Sequence, residues 1–456
     1  MHNCSLECAH DLTGIATALP DQYPYLLDSA APGPLGERSL LLRTNGQHLS
    51  SHSDGSIVGP GSAPGHGAGE SFLSRLDEWF QQERQTQREI VDWPFIGGWF
   101  IYLGYELAAE IEPVVQFPAA TDGFPVAFAS RCPAAVYVDP NQAGVLQLVA
   151  ETRSLLDTMR NELENLQSKP LDYSVNLSSI TVDQPESFKQ AVEKIHEYIL
   201  DGDVFQVNLS RGWQARFDSR VDAAALYRSL RKSNPAPFAG LIHWNDYVLM
   251  SSSPERLVNI KQGQVQSRPI AGTRPRGTDS DSDLALSREL LAHPKERAEH
   301  IMLIDLERND LGRVCETGSV EVNELMVVET YEHVHHIVSN VRGRLRSDVS
   351  PVDVIRAVFP GGTITGCPKV RCMEIIAELE QQGRSFYTGS FGYLGLDGDM
   401  DLNILIRSML LHHDRIGFRT GAGIVADSIA QAEIKETEDK ARGLLRALGP
   451  IHAETL

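Results

Sequence analysis

The sequence predicts a mixed α/β protein in which helices cover large sheets. Short β-rich runs, such as GGWFIYLGY (97–105) and AAVYVD (134–139), characterise the first part of the chain. Later the apolar periodicity switches repeatedly between that of a strand and that of a helix. No GxGxxG opens a helix after a strand and no GxxxxGK[ST] occurs, so a doubly wound fold is not expected.

Individual elements follow from local patterns. A helix is expected to begin near Pro185, because Phe188, Val192, Ile195 and Ile199 recur at helical spacing. YVLMSSS (247–253) follows an Asn-Asp turn and predicts a strand. Further helices are expected over 284–309, 368–381 and 431–448.

Two segments of biased composition suggest how the chain is organised. Residues 48–69 are rich in Gly, Ser, Pro and His and predict a mobile surface loop. The polar stretch 167–185 predicts a joint between two halves. We therefore expect an N-terminal region over 1–170 and a second region over 185–448.

Composition limits the class of protein. The chain has 456 residues, of which 42% are apolar and 22% charged, as in ordinary globular proteins. Its 41 basic and 61 acidic residues give a formal net charge of −20. Nucleic acids and anionic membranes attract basic surfaces, so neither is an expected partner.

The chain carries no pattern of a secreted or membrane protein. The start MHNCSLECAHDLTG lacks a basic n-region and an apolar h-region, and no run approaches a membrane span. The six cysteines are scattered, and the Cys4/Cys8 pair has no second half that would complete a zinc site. A reduced cytoplasmic enzyme is expected.

Carboxylates at helical i,i+3 spacing are the main chemical feature. Glu296 and Glu299 share one helical face, and Glu433, Glu436 and Lys440 share another. Two such faces would suit Mg²⁺, which takes oxygen ligands and keeps positions for water or substrate. Glu/Lys faces are also the usual composition of a solvated helix surface, so spacing alone leaves both interpretations open.

Other polar residues are candidates for a site, each with a structural alternative. A Gly-Ala-Gly turn could direct backbone N–H groups at an anion, a histidine could act as acid or base, and a glutamate after a strand could act as an acid. An arginine in an apolar run needs an anionic partner, which could be structural or a substrate. These residues are Gly421, Ala422, Gly423, His336, Glu255 and Arg407.

Seven ordered motifs resemble the chorismate-binding enzyme family and extend over about residues 185–446. They are SSSPERL, RPIAGTRPRG, ERAEHIMLIDLERNDLGRV, FPGGTITGCPKVRCMEII, YTGSFGYLG, GAGIVADS and EIKETEDKA. The resemblance implies an α+β fold like that of anthranilate synthase component I, in which large antiparallel β-sheets form a β-sandwich core covered by helices.

The resemblance also implies a metal site and its substrate. Glu299 and Glu436 would bind Mg²⁺, and Glu296 and Glu433 would assist through water. The metal would hold the ring carboxylate of chorismate.

The remaining roles are likewise implied by the resemblance. Glu255 would be the general acid for the departing 4-hydroxyl, and His336 would contact the ring nearby. Tyr387 and Arg407 would bind the enolpyruvyl carboxylate, with help from the amides around Gly421 and Gly423. Thr273 and Lys440 would support the metal side of the site.

Gln206 distinguishes the reaction classes within the family. Relatives that add water carry a lysine base at this position, and a glutamine cannot deprotonate water. The nucleophile is therefore expected to be ammonia. Cys367 lies in TGCPK, outside any nucleophile-elbow context, and is expected to pack rather than react. Ammonia is expected from a separate glutamine amidotransferase subunit.

Two aminating members of the family remain. QVNLS with Asn208, FPGG (359–362) and TGSFGYLG resemble aminodeoxychorismate synthase component I, which serves p-aminobenzoate and folate synthesis. PIAGT with Ala271 resembles anthranilate synthase component I, because the first subfamily commonly has a nucleophilic lysine there. More positions favour aminodeoxychorismate synthase.

Two segments of the chain resemble the walls of the tryptophan pocket of anthranilate synthase component I. PYLLDSAAPGP (24–34) is similar to the segment that carries LLES in anthranilate synthase component I, with an aspartate in place of the glutamate, and NPAPF (234–238) is similar to a second wall. Outside the enzymes, the alternative is a catalytically silent regulator that binds an amino acid. The carboxylates of the predicted metal site are intact, which argues against this alternative. The pocket residues would be Leu27, Asp28, Ser29, Asn234, Pro235 and Phe238.

Overall fold

A computed structural model describes nine stretches of the chain, which are 1–8, 10–31, 38–60, 71–85, 93–138, 144–167, 176–277, 279–331 and 334–449. Within them lie 23 strands and 11 α-helices.

The strands are β1 (His2–Glu7), β2 (Tyr25–Asp28), β3 (Ser39–Arg43), β4 (His48–Ser51), β5 (Ile57–Val58), β6 (Gly98–Leu103), β7 (Ala127–Cys132), β8 (Ala134–Val138), β9 (Val145–Ala150), β10 (Leu177–Val182), β11 (Gln206–Phe217), β12 (Phe238–Trp244), β13 (Tyr247–Ser253), β14 (Arg256–Lys261), β15 (Gln264–Ser267), β16 (Ile270–Pro275), β17 (Glu321–Thr330), β18 (Val334–Arg344), β19 (Gly366–Cys367), β20 (Ser390–Gly395), β21 (Met400–Asn403), β22 (Ser408–His412) and β23 (Arg415–Ile424).

The helices are α1 (Leu12–Ala18), α2 (Phe72–Glu83), α3 (Ala108–Ile111), α4 (Arg153–Glu164), α5 (Pro185–Leu200), α6 (Ala223–Ser233), α7 (Ser280–Ala292), α8 (Pro294–Gly312), α9 (Pro351–Val358), α10 (Lys369–Glu380) and α11 (Ala430–Ala447).

Two antiparallel sheets make up the core of the protein. Sheet A has the order β1-β9-β8-β3-β2-β12-β13-β22-β23-β11-β10, with β19 paired to β11. Sheet B has the order β16-β18-β15-β14-β21-β20-β6-β7-β4-β5, with β17 paired to β18. The predicted fold class, with large antiparallel sheets and covering helices, is confirmed.

An aromatic core joins the two sheets. Tyr25 of sheet A stacks on Phe100 of sheet B with ring centroids 4.1 Å apart. Phe128 and Phe391 of sheet B pack in the same cluster as Leu249 of sheet A. Apolar residues from both inner faces exclude water from the layer, as in other sheet sandwiches.

Helices bury the outer faces of both sheets. Helices α2, α8 and α9 pack on sheet B through a cluster that includes Leu76, Ile304 and Val354. Helices α1, α4, α6 and α11 cover one part of sheet A, and α5 and α10 cover another. The apolar stripes that predicted helices α5 and α11 are the faces that pack on sheet A.

Local patterns predicted most of the named elements correctly. The strands at 98–103, 134–138 and 247–253 and the helices at 185–200, 369–380 and 430–447 are confirmed. The helical structure over 284–309 is also confirmed, but it is divided between two helices, because α7 ends before His293 and Pro294 begins α8. A residue that precedes proline disfavours the helical conformation, which separates the two helices.

Two predictions of irregular structure are wrong in part. Residues 48–51 form β4, which pairs with β7, and residues 57–58 form β5. Residues 177–182 in the predicted joint form β10, which pairs with β11. These short strands are held by distant partners, which local composition does not reveal. The rest of the two segments includes 61–69 and 168–175, which lie outside the described residues.

Strands from both predicted regions occur in both sheets. In sheet A, β2 of the first region pairs with β12 of the second. In sheet B, β6 of the first region pairs with β20 of the second. The division into 1–170 and 185–448 stays a prediction about the sequence, and the sheets run across it. None of the helices in the described part of the chain has the length and apolar character needed to cross a bilayer.

Candidate active site

The centre of the site lies where the chain crosses between the two sheets. Glu255 lies between β13 of sheet A and β14 of sheet B, and Arg407 lies between β21 of sheet B and β22 of sheet A. The two crossings run side by side, because the Ser252 N–H donates to the Arg407 carbonyl at 3.1 Å and the Ile404 N–H donates to the Glu255 carbonyl at 3.0 Å. An acidic residue and a basic residue that are distant in the sequence thereby become neighbours.

Burial controls the protonation of Glu255. The residue is 6% exposed, and desolvation raises the pKa of Glu255 to about 7, with a further increase from Glu307. The Thr363 side chain, the Ile270 N–H and Lys440 act in the opposite direction. Near neutral pH a large fraction of Glu255 is therefore protonated and can donate a proton.

His336 and Arg407 also belong to this centre. His336 lies on β18 opposite Thr273 of β16 and is buried. Burial and the nearby Arg407 lower the pKa of His336 to about 4, so its imidazole is neutral at pH 7. Burial lowers the pKa of Arg407, and Glu255 opposes that effect.

Gln206 links sheet A to helix α8. Its Nε2 donates to Glu299 Oε1 at 3.0 Å, and its side chain is buried at the start of β11. A Cβ atom at Gly423 would lie 2.3 Å from Gln206 Nε2, so only glycine leaves room for this amide. The residue that the sequence predicts to separate the reaction classes therefore lies against a predicted metal ligand.

The predicted Gly-Ala-Gly turn is wrong, because these residues lie within β23, near its C-terminal end. Gly421, Ala422 and Gly423 pair with Ser210, Leu209 and Asn208 of β11. Because the glycines have no side chain, neighbouring groups can approach this strand closely. A Cβ atom at Gly421 would lie 2.7 Å from the Tyr387 hydroxyl.

Tyr387 and Lys440 converge on Gly421 from two sides. Burial raises the pKa of Tyr387 to about 12, so its hydroxyl stays a hydrogen-bond donor. Lys440 Nζ donates to the Gly421 carbonyl at 2.9 Å and pairs with Glu436 at 2.7 Å. Helix α11 therefore brings its carboxylates to the same strand that Tyr387 contacts.

The four predicted metal ligands lie on two helices that approach the strand pair β11–β23. Glu299 reaches β11 through Gln206, and Glu296 contacts Arg274 at 3.3 Å. Glu433 is buried, whereas Glu436 is about half exposed. In the part of the chain that is described, no three His, Cys, Asp or Glu side chains are grouped to hold a metal ion.

The predicted metal ligands are carboxylates, which are the kind of oxygen ligand that Mg²⁺ prefers. Mg²⁺ is usually held by one or two carboxylates and completes its coordination with water or substrate oxygens. Glu299 and Glu436 could supply those carboxylates without a cage of protein ligands. The chemistry of these two carboxylates fits Mg²⁺, and the metal site stays a prediction.

Several buried oxygen atoms in the site have no hydrogen-bond partner among the described residues: Gln206 Oε1, Asn208 Oδ1 and Glu255 Oε1. Buried polar atoms in folded proteins are almost always paired, so unpaired ones indicate a place for a polar ligand. The two prominent cavities, of about 650 Å³ each, lie elsewhere.

One of those cavities corresponds to the predicted tryptophan pocket. Leu27, Asp28, Ser29 and Phe238 line it, whereas Asn234 and Pro235 do not. The Asp28 carboxylate accepts hydrogen bonds from Tyr227 at 3.0 Å, Arg231 at 2.7 Å and Ser39 at 2.8 Å. Asn234 instead bonds to Ser252 Oγ at 3.0 Å.

Sequence patterns missed the buried ion network behind Tyr387. Glu380 pairs with Arg384 at 2.6 Å and with Arg419 at 3.2 Å. Burial alone would raise the pKa of Glu380, but the two arginines hold it below its usual range. Only the i,i+4 spacing of Glu380 and Arg384 hints at the network, and that spacing is common on exposed helices.

Known proteins similar to this chain show the family to which it belongs. Residues 40–446 match the family described as chorismate binding enzyme. An anthranilate synthase component I-like protein of Synechocystis is 44% identical over 83% of this chain and 78% of its own length. Aminodeoxychorismate synthase component 1 of Bacillus subtilis is 41% identical over 84% of this chain and 83% of its own length.

A solved structure adds the same relationship at the level of the fold. The crystal structure of anthranilate synthase component I from Streptococcus pneumoniae superposes with a TM-score of 0.78 at 33% identity, covering 89% of this chain and 91% of that one. The chain belongs to the chorismate-binding enzyme family. It is a chorismate-utilising enzyme of the anthranilate synthase and aminodeoxychorismate synthase type.

Replacing Glu255 with glutamine should change how stability depends on pH. A carboxyl with a pKa near 7 in the folded state, against 4.5 in its unburied reference, loses its stabilising contribution as the pH rises through 7. Between pH 5 and pH 8.5 the free energy of unfolding of Glu255→Gln should therefore gain about 3 kcal/mol relative to wild type. Urea unfolding at both pH values measures this, with Glu186→Gln at an exposed position as control. Parallel curves for wild type and Glu255→Gln would contradict it.

Proposed function

We propose that this chain is aminodeoxychorismate synthase component I. It replaces the 4-hydroxyl of chorismate with ammonia to give 4-amino-4-deoxychorismate. The observation that carries amination over hydration is Gln206, which is buried and held by Glu299 where a hydrating enzyme needs a base. The choice of aminodeoxychorismate synthase is supported by the resemblance of QVNLS, FPGG and TGSFGYLG. An amide cannot deprotonate water, whereas ammonia needs no such base. The ammonia comes from a separate glutamine amidotransferase subunit, and both act in the cytoplasm.

The residues of the site divide the reaction between them. Protonated Glu255 donates its proton to the departing 4-hydroxyl as the C4–O bond breaks, and water leaves. Ammonia forms the new C4–N bond, and the resulting ammonium returns a proton to the Glu255 carboxylate. Neutral His336 contacts the ring beside the leaving group, and Tyr387 and Arg407 hold the enolpyruvyl carboxylate. The raised pKa of Glu255 supports its role as the acid.

We further propose that the enzyme requires Mg²⁺. Glu299 and Glu436 would bind it, Glu296 and Glu433 would assist through water, and Lys440 would support this side of the site. The side chain of Thr273, which the sequence also predicts here, lies outside the described part of the structure. When bound, the ion neutralises and orients the ring carboxylate of chorismate. The oxygen donors on both sides of β23 support this assignment.

Anthranilate synthase component I is the second candidate. Ala271 favours it, because this buried residue on β16 has no nucleophile that could attack the ring. Asn208 in QVNLS favours aminodeoxychorismate synthase, because that motif resembles the corresponding segment of this subfamily. A silent regulator fits less well, because it has no need of an acid with a raised pKa.

Product identification tests the choice between the two enzymes. Purified protein with chorismate, Mg²⁺ and ammonium salt at mildly alkaline pH should consume chorismate without glutamine. p-Aminobenzoate should appear only after an aminodeoxychorismate lyase is added, as chromatography and mass spectrometry can show. Anthranilate and pyruvate without the lyase would identify anthranilate synthase. Glu255→Gln should lower turnover by about 10²–10⁴-fold, the usual contribution of a general acid.

The metal proposal predicts a selective loss at Glu299. Glu299→Gln keeps an oxygen that can accept from Gln206 but removes the charge, so the Mg²⁺ concentration for half-maximal activity should rise about 10–100-fold. Asp305→Asn on the exposed face of α8 is the matched control and should leave it unchanged. Equal Mg²⁺ dependence of both variants would contradict the assignment.

We also propose that tryptophan binds in the cavity between the sheets that Leu27, Ser29 and Phe238 line. Its volume of about 650 Å³ and its aromatic and charged walls suit an amino acid with a large side chain. Calorimetric titration should give saturable heat with tryptophan and less with alanine. Absence of heat at millimolar tryptophan would mean that the cavity is structural.

A further inference from the structure

The loop before β20 has a strained backbone. Ser385 and Thr388 both adopt positive φ angles, 54° and 62°. Residues other than glycine rarely adopt this region, and a β-branched residue such as threonine does so least of all. Such conformations persist only where the surroundings impose them, and they are concentrated at functional sites.

The loop carries a residue of the candidate active site. Tyr387 lies between the two strained residues, and its hydroxyl approaches Gly421. Arg384 at the start of the loop donates to the Asn208 carbonyl at 2.7 Å and to the Ile364 carbonyl at 3.2 Å. The position of Tyr387 therefore depends on how this loop is held.

A carboxylate from the N-terminal region fixes the start of the loop. Glu106 follows β6, and its Oε1 accepts the Arg384 N–H at 2.6 Å. Both of its oxygens accept the Ser385 N–H, at 3.2 and 3.0 Å. The Tyr105 N–H donates to the Ser385 carbonyl at 2.8 Å, so both peptide groups of the strained Ser385 are bonded to consecutive residues of the N-terminal region.

Several charged and titratable groups surround this contact. Burial raises the pKa of Glu106 to about 7, the backbone N–H groups of Arg384 and Ser385 lower it, and Asp122 raises it. Tyr102 and Tyr105 lie nearby, and the Arg384 guanidinium lies 4.9 Å from the Tyr105 ring centroid. The carboxylate thus remains in a poorly solvated position in order to accept the loop amides.

We propose that Glu106 is a positioning residue that holds residues 384–388 in the conformation that directs Tyr387 at the substrate. The N-terminal region thereby controls the affinity of a site whose predicted catalytic residues all lie in the second region. This inference rests on the proposed function, because it takes Tyr387 as a contact to chorismate.

Glu106→Gln tests the inference with little change in shape. The glutamine carbonyl can accept one loop N–H, but its NH₂ group faces the other donor. At mildly alkaline pH, where Glu106 is ionised, the KM for chorismate should rise roughly tenfold, as expected for the loss of one charge-assisted hydrogen bond, while kcat changes less than about threefold. Glu106→Asp keeps the charge and should restore part of the affinity.

Glu110→Gln is the matched control. Glu110 also accepts two backbone N–H groups, from Phe72 at 2.8 Å and Leu73 at 3.1 Å, but these belong to α2, away from the loop. This variant should leave the KM for chorismate unchanged. An equal change in KM for both variants would overturn the inference, because it would indicate general destabilisation.

Hydrogen exchange gives a measurement that does not depend on the reaction. Without substrate, the amides of residues 384–388 should exchange faster in Glu106→Gln than in wild type and in Glu110→Gln. Unchanged exchange together with unchanged KM would overturn the inference. Wild-type protein that does not consume chorismate would instead overturn the proposed function, and the exchange data would still decide whether Glu106 holds the loop.

Discussion

The side-by-side crossing of the chain between the two sheets is the constraint on which the site depends. Each crossing leaves one sheet and enters the other, and main-chain hydrogen bonds join the two at Ser252–Arg407 and Glu255–Ile404. Main-chain groups in a buried position must be paired, so the crossings can hardly separate. Glu255 and Arg407 are consequently held in a desolvated position where neither has the solvation it would have in water.

Buried charge supports the site from behind. Glu380 is shared by Arg384 and Arg419, and its Oε1 also accepts from both the N–H and the hydroxyl of Ser210 at 2.8 Å. Desolvating three charged groups is costly, and removing one partner from such a network typically costs about 3–5 kcal/mol. The network joins α10, β11 and β23 to the loop that carries Tyr387, so it restrains the position of that loop.

The site combines this rigidity with unsatisfied polar groups. Oxygens of Gln206, Asn208 and Glu255 are buried without partners in the described structure, and Glu255 and Glu307 are carboxyls in a common buried environment. Each of these features lowers the stability of the free protein. A polar ligand that supplies the missing partners would recover that stability, which is how a site of this kind gains affinity.

The sequence by itself determined most of the named elements, the fold class and the family. Apolar periodicity predicted α5, α11 and β13, and the spacing of Glu296/Glu299 and Glu433/Glu436 predicted two acidic helix faces. The resemblance of seven motifs to one family identified Glu255, His336, Tyr387 and Arg407 as candidates. The helices and strands are confirmed because they depend on neighbours in the sequence, whereas the roles of the site residues stay predictions.

Only the tertiary structure decided what depends on contacts between distant residues. It showed that Gly421–Gly423 form a strand whose missing side chains make room for Tyr387 and Gln206, where local composition predicted a turn. It also brought Glu106 against Arg384, 278 residues along the chain. Strand pairing, burial and the resulting pKa values are set by partners that no local pattern specifies, and they decide which of the many carboxylates in the sequence have the environment of a catalytic group.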